Sequence, residues 1–158
     1  MRARPDRAPP VSEESLRQLS MVERAVTQRL DEVLKVHGSG IDQWRILSLL
    51  VEQGGCPMNV VADHAMLLPP KLSKLVDRMV AANLVSRRSD EADRRRVLIF
   101  AAPRGHQALA TWNTAVAEVR QQLSEILGTD TETLNELLRR LSEGLQRGPT
   151  DTHKATRS

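Results

Sequence analysis

Between Pro69 and Gly105 the chain carries Lys71, Lys74, Arg78, Arg87, Arg88, Arg94, Arg95, Arg96 and Arg104, nine basic side chains, against Asp77, Asp90, Glu91 and Asp93, four acidic ones. This local excess of five exceeds the +3 of the whole chain, so positive charge is concentrated in one stretch. Cations grouped in this way neutralise phosphates and release their counterions, which is the chemistry of holding a polyanion. The remaining reactive side chains form no catalytic pattern. His37, His64, His106 and His153 stand without a ligand-spaced partner, and Cys56 is the sole cysteine, so a disulfide framework is excluded. Cys56 with His64 or His106 would be the metal-binding alternative, and Cys56 alone the peroxide-sensing one; solvated or capping histidines and an idle thiol are expected instead. No phosphate loop, dinucleotide fingerprint or nucleophile triad is readable, so no cofactor is expected and an enzyme is the weakest class.

The elements that must position these cations read clearly. Pro69 and Pro70 fix φ near the helical value and lack the N–H groups that a first turn leaves unpaired, so a helix begins there. Leu72, Leu75, Val76 and Met79 recur at three- and four-residue intervals as its apolar stripe. Lys71, Ser73, Lys74, Asp77 and Arg78 fall on the other face, and Asn83, tolerant of left-handed backbone, stops the helix. Residues 85–89 and 97–101 are rich in strand formers and flank the polar, turn-prone residues 90–95, a hairpin with a charged tip. Residues 58–65 make a short helix before the proline-initiated one, with Val60, Val61, Ala65 and Leu67 available to pack on it. A helix for the major groove beside a basic ribbon is a duplex-DNA reader, a winged helix-turn-helix.

The order Ala62, then Leu72-Ser73-Lys74-Leu75-Val76-Asp77-Arg78-Met79, then Leu84-Val85 and Arg87, then Asp93, Arg94, Arg95, Val97-Leu98-Ile99, Pro103 and Gly105 resembles the MarR family of winged-helix transcription regulators, over residues 12–147. The wing element Asp93-Arg94-Arg95 is its most specific part. The resemblance implies Asp93 as the orienter of an arginine that enters the minor groove, with Arg95 and Arg94 as the groove readers. It implies Pro70, Lys71, Ser73, Lys74 and Arg78 as recognition-helix contacts, and Arg87 and Arg88 belong to the same wing. It also implies a small, often phenolic or anionic effector between base and reading head, with Trp44 near that pocket, although Trp44 is first expected to pack between helices. Two positions depart from the family pattern. Ala101-Ala102 stand where a Leu-Thr pair precedes the next helix, removing an N-cap worth about 1 kcal/mol, and Asn83 stands where the family has glycine.

The rest of the 158 residues frames this reader. With 40% hydrophobic and 27% charged residues the chain is globular, its core built from aliphatic side chains because Trp44, Trp112 and Phe100 are the only aromatics. No run approaches a membrane span and the Arg/Pro-rich start lacks a signal-peptide core, so a cytoplasmic protein is expected. Residues 1–11, with Arg2, Arg4 and Arg7, read as a flexible arm, and residues 148–158 as a polar tail. Ser12 caps a long first helix ending at His37-Gly38; Ser39 to Asp42 resembles a capping box for a second helix ending at Gly54-Gly55. Pro103 opens a long helix that stops at Gly128, and Thr129 to Glu132 reads as a capping box for a last one.

The expected fold is therefore mostly α with a small β-hairpin wing, six helices in all, residues 41–102 forming the DNA-binding lobe. Residues 12–37 and 103–147 carry more leucine and valine than a small winged module needs, and burying that surface against a second copy predicts a homodimer. The expected function is sequence-specific binding of a near-palindromic double-stranded DNA operator by a transcription regulator, a repressor released by a small-molecule effector. The rival is a dimeric helical interaction module whose basic hairpin docks an acidic protein.

Overall fold

The computed structural model describes residues 9–147. The arginines expected in the arm, Arg2, Arg4 and Arg7, and the tail 148–158 with His153, lie outside the described residues. The elements run α1 (Glu13–Lys35), α2 (Ile41–Gln53), β1 (Cys56–Pro57), α3 (Met58–Ala65), α4 (Pro69–Ala81), β2 (Val85–Ser89), β3 (Val97–Ala101), α5 (Pro103–Leu127) and α6 (Thr131–Gln146), with a 3-10 turn at Gly128–Asp130. Two compact units divide after Ala117.

In the first unit, Ser12 takes extended backbone and its hydroxyl accepts the Ser15 N–H, starting α1 with Glu13 and Glu14 in the first turn, where the helix dipole favours them. The start of α2 differs from the expected Ser39 cap. Gly40 is the N-cap, Gln43 reaches back to the Gly40 N–H at 3.3 Å, and the Ile41 N–H goes to Asp31 Oδ1 of α1 at 3.1 Å. A carboxylate ten residues earlier thus does what a local hydroxyl was expected to do, and it ties α1 to α2.

The core of this unit joins Leu34 of α1, Ile46, Leu47 and Leu50 of α2, Val61 of α3, Leu72, Val76 and Met79 of α4 and Ile99 of β3, with Leu109, Trp112 and Val116 of α5 packed into the same cluster. Met66 ends α3 in left-handed backbone at φ 57°, and the Leu67 N–H returns to the Ala62 carbonyl at 3.0 Å, making the tight turn that sets α3 against α4. Leu16, Leu19, Met21 and Val22 of α1 stay exposed.

The expected two-stranded ribbon is a three-stranded antiparallel sheet in the order β1-β3-β2. Cys56 pairs with Ile99 and Pro57 with Leu98, while β2 and β3 pair from Val85–Ala101 out to Ser89–Val97. Two residues are too few to show an alternating pattern, and Pro57, which lacks an N–H, sits on the edge strand where proline is tolerated. Gly55 lets this strand lie close: a Cβ there would meet the Phe100 ring at 2.3 Å.

The second unit, from Glu118, holds the remainder of α5, the 3-10 turn and α6. The expected capping box is absent. The chain stays helical through Asp130 (φ −84°, ψ 0°), which makes no side-chain cap bond, and the Thr131 hydroxyl donates back to the Gly128 carbonyl at 2.9 Å. A side chain cannot turn onto the first N–H groups unless its own backbone is extended. Leu137, Leu138, Leu141 and Leu145 of α6 are exposed. No helix among the described residues is long and apolar enough to cross a membrane.

Candidate nucleic-acid interface

Helix α4 starts where the two prolines allow it. Leu68 is an extended N-cap with no side-chain bond, and Pro69 and Pro70 occupy the first helical positions. The stripe Leu72, Leu75, Val76 and Met79 is buried, which turns Pro70, Lys71, Ser73, Lys74, Asp77 and Arg78 to the exposed side. The helix therefore offers its positive dipole end and a basic face together, a pairing suited to phosphate and base edges. Among the described residues neither Lys74 nor Arg78 has an ion-pair partner. Lys71 does have one: its Nζ lies 3.2 Å from Asp42 Oδ2 of α2.

Beyond Ser89 and before Val97 the wing tip is held by its own main chain and two carboxylates. The Asp90 N–H donates to the Arg96 carbonyl at 2.9 Å and the Arg96 N–H to the Asp93 carbonyl at 2.9 Å. Asp90 Oδ1 accepts the Ala92 N–H at 2.9 Å, and Asp93 Oδ1 accepts the Arg95 N–H at 3.1 Å. Such side-chain-to-backbone turns fix a loop without a β-ladder. Asp93 thus acts on the main chain of Arg95 and shapes the loop that carries it. Arg94 and Arg95 are exposed, and among the described residues their guanidinium groups have no acidic partner.

The two arginines of β2 diverge, because successive strand residues point to opposite faces. Arg88 lies 4.9 Å from the centre of the Phe100 ring, a cation–π contact. Arg87 goes the other way and its Nη2 donates to Asp77 Oδ1 of α4 at 2.6 Å. Asp77 was visible in the sequence only as part of the exposed face of α4; its partner is ten residues away on another element, so no local spacing signals the pair.

The other side chains with potential chemistry lie elsewhere. Cys56 is buried on β1, with its Sγ 3.6 Å from the Gly54 carbonyl, and burial pushes its thiol pKa up, opposite to the lowered pKa of a reactive cysteine. Among the described residues no three His, Cys, Asp or Glu side chains are grouped to hold a metal. Trp44 is half-buried and its indole N–H donates to Asn113 Oδ1 of α5 at 2.9 Å. A cleft of about 390 Å³ is lined by His37, Gln43, Leu84, Arg104, Thr111 and Trp112 among others, so Trp112 is the aromatic wall it has.

The sequence model of the MarR family matches residues 37–96, from the end of α1 through the wing. The transcriptional regulator FarR of Neisseria gonorrhoeae is 32% identical over 88 residues, 56% of this chain. Over this segment the chain is similar to the MarR family. Its match to FarR spans 60% of that regulator's length. As a fold, the chain is similar to AbsC, a MarR family transcriptional regulator from Streptomyces coelicolor, at 26% identity and a TM-score of 0.75, covering 89% of this chain and 100% of AbsC. It also resembles in fold a cysteine-to-serine variant of E. coli MarR solved with operator DNA, at 21% identity and a TM-score of 0.72, covering 82% of this chain and 94% of that one.

Proposed function

We propose that this chain is a sequence-specific double-stranded DNA-binding transcription regulator of the MarR family. The observation that carries the reading is the pairing of a basic, proline-initiated helix with an arginine-tipped wing, in which Lys74, Arg78, Arg94 and Arg95 have no acidic partner among the described residues. In the proposed complex Pro70, Lys71, Ser73, Lys74 and Arg78 meet the major groove and its phosphates, while Arg94 and Arg95 enter the neighbouring minor groove on the loop shaped by Asp93. Arg88 is kept near the backbone by its stacking on Phe100.

The regulator acts as a homodimer in this reading. The exposed leucines, valine and methionine at the start of α1 and the exposed leucines of α6 are each an apolar face that a second copy would bury. Two reading heads then address a near-palindromic operator with half-sites about 34–36 Å apart. Repression released by a small effector follows if a ligand favours a spacing of the heads that the operator rejects. The cleft beside Trp112, with Arg104 and His37 at its wall, suits a small aromatic anion.

Selection of bound duplexes from a random pool at fixed salt, followed by footprinting, tests the reading. A recovered two-fold site with major- and minor-groove protection supports it. Equal binding to every duplex and to heparin-like polyanions would leave only the docking of acidic partners.

A further inference from the structure

We infer that Arg87 and Asp77 form a latch that sets the angle of the wing against the recognition helix, so that Arg87 is a positioning residue for duplex binding and not a phosphate contact. This rests on the reading of α4 and the wing as a duplex-binding surface. Asp77 lies on the exposed side of α4, one turn from Ser73 and Lys74 and next to Arg78. A carboxylate there repels phosphate, and on a surface built to hold a polyanion it needs a reason.

The reason is its partner. Arg87 leaves β2 on the side of its cross-strand neighbour Ile99, which is fully buried, while Arg88 leaves on the opposite side. Alternation along β2 leaves Val85, Arg87 and Ser89 on the side of Ile99. Val85 is buried at the base of the hairpin, and Ser89 is too short to span to another element. Arg87 is thus the side chain that can brace the hairpin part-way to its tip, and its Nη2 lies 2.6 Å from Asp77 Oδ1. With the side chains of Arg87 and Asp77 at 37% and 62% exposure, solvent screens the pair and it contributes little to folding. Its effect is geometric: β1 holds the β3 side of the ribbon at Ile99 and Leu98, and the Arg87–Asp77 pair ties the β2 side to α4, which presents Arg94 and Arg95 at a set distance from Lys74 and Arg78.

The test uses the full chain, a fluorescent duplex taken from the selected pool, and anisotropy titrations over a salt series. Asp77→Asn decides by sign. Bare electrostatics makes loss of a carboxylate beside phosphate tighten binding; release of the wing weakens it. The expected result is weakening by about threefold or more for Asp77→Asn and for Arg87→Ala, with the salt slope of both unchanged and melting temperatures close to the parent's. The double variant Asp77→Arg with Arg87→Asp restores the pair in reverse and recovers affinity; should it fail to fold, the sign for Asp77→Asn and the slope for Arg87→Ala still decide. Binding by Asp77→Asn equal to or tighter than the parent's overturns the latch alone. So does a fall of about one unit in the Arg87→Ala slope, which marks a direct phosphate contact. A parent chain that prefers no duplex overturns the functional reading, and the positioning role with it.

Discussion

Gly105 of α5 lies directly against the main-chain carbonyl of Leu84: a Cβ at residue 105 would stand 2.1 Å from that oxygen. The same carbonyl accepts the Ala102 N–H at 2.9 Å, so the residue before β2 and the start of α5 are joined at one atom. Gly105→Ala is therefore expected to destabilise the chain by about 2 kcal/mol or more, since backbone has to move to admit the methyl group. Chemical denaturation monitored by tryptophan fluorescence measures this, and an unchanged midpoint would contradict the packing.

Arg95→Ala is expected to weaken binding to the selected duplex roughly tenfold while leaving the melting temperature where it was, because among the described residues the side chain has no acidic partner to lose. Lys74→Ala should weaken binding and lower the salt slope by about one unit. A loss of stability for Lys74→Ala would show that the lysine packs internally. Unchanged affinity for Arg95→Ala would remove the wing from recognition.

Acid should expose the role of Asp31. The Lys35 ammonium at 2.9 Å, and then the Ile41 N–H, hold its carboxyl below the usual carboxylate range. A depressed folded-state pKa contributes stability that is present above the unfolded value and is lost as pH falls through the folded one. The stability gap between the parent and Asp31→Asn should hold from neutral pH down to the ordinary carboxylate range and close below it. Denaturation midpoints across that range check the sign, and a gap indifferent to acid would sink it. Asp31→Ala also loses the cap on α2, at a cost of about 1 kcal/mol.

Cys56 should be inert in the folded state. Its thiol is buried and burial raises its pKa, so thiolate is scarce at neutral pH. Iodoacetamide is expected to label Cys56 at the rate of global unfolding, and mild peroxide to leave duplex affinity unchanged. Rapid labelling under native conditions, read by mass spectrometry, would reverse this.

Much of the reading head was legible because its signals are local. Pro69 and Pro70 open α4, Asn83 at φ 58° closes it, and the strand formers of residues 85–89 and 97–101, on either side of a polar turn, delimit the hairpin. Gly128 at φ 57° likewise ends α5 where the apolar period breaks. What was not legible depends on residues brought together by folding. The strand Cys56–Pro57 has no period to detect, the cap on α2 comes from Asp31 on the preceding helix, and Thr129 to Glu132 carries the letters of a capping box without the extended backbone that makes one. The pairs Asp77–Arg87 and Asp42–Lys71 are likewise products of tertiary packing, so composition reported the charges but not which were already matched.

Lys71 carries a consequence for how a complex would be counted. With Asp42 3.2 Å away, its charge is partly neutralised before any phosphate arrives. A phosphate that takes this lysine displaces a tethered carboxylate, which stays on the protein, and sends fewer ions into solution than a contact made by a bare cation would. The number of phosphates inferred from ionic-strength dependence should therefore fall short of the number of basic side chains at the duplex. An Asp42→Asn chain should close that shortfall by steepening the dependence.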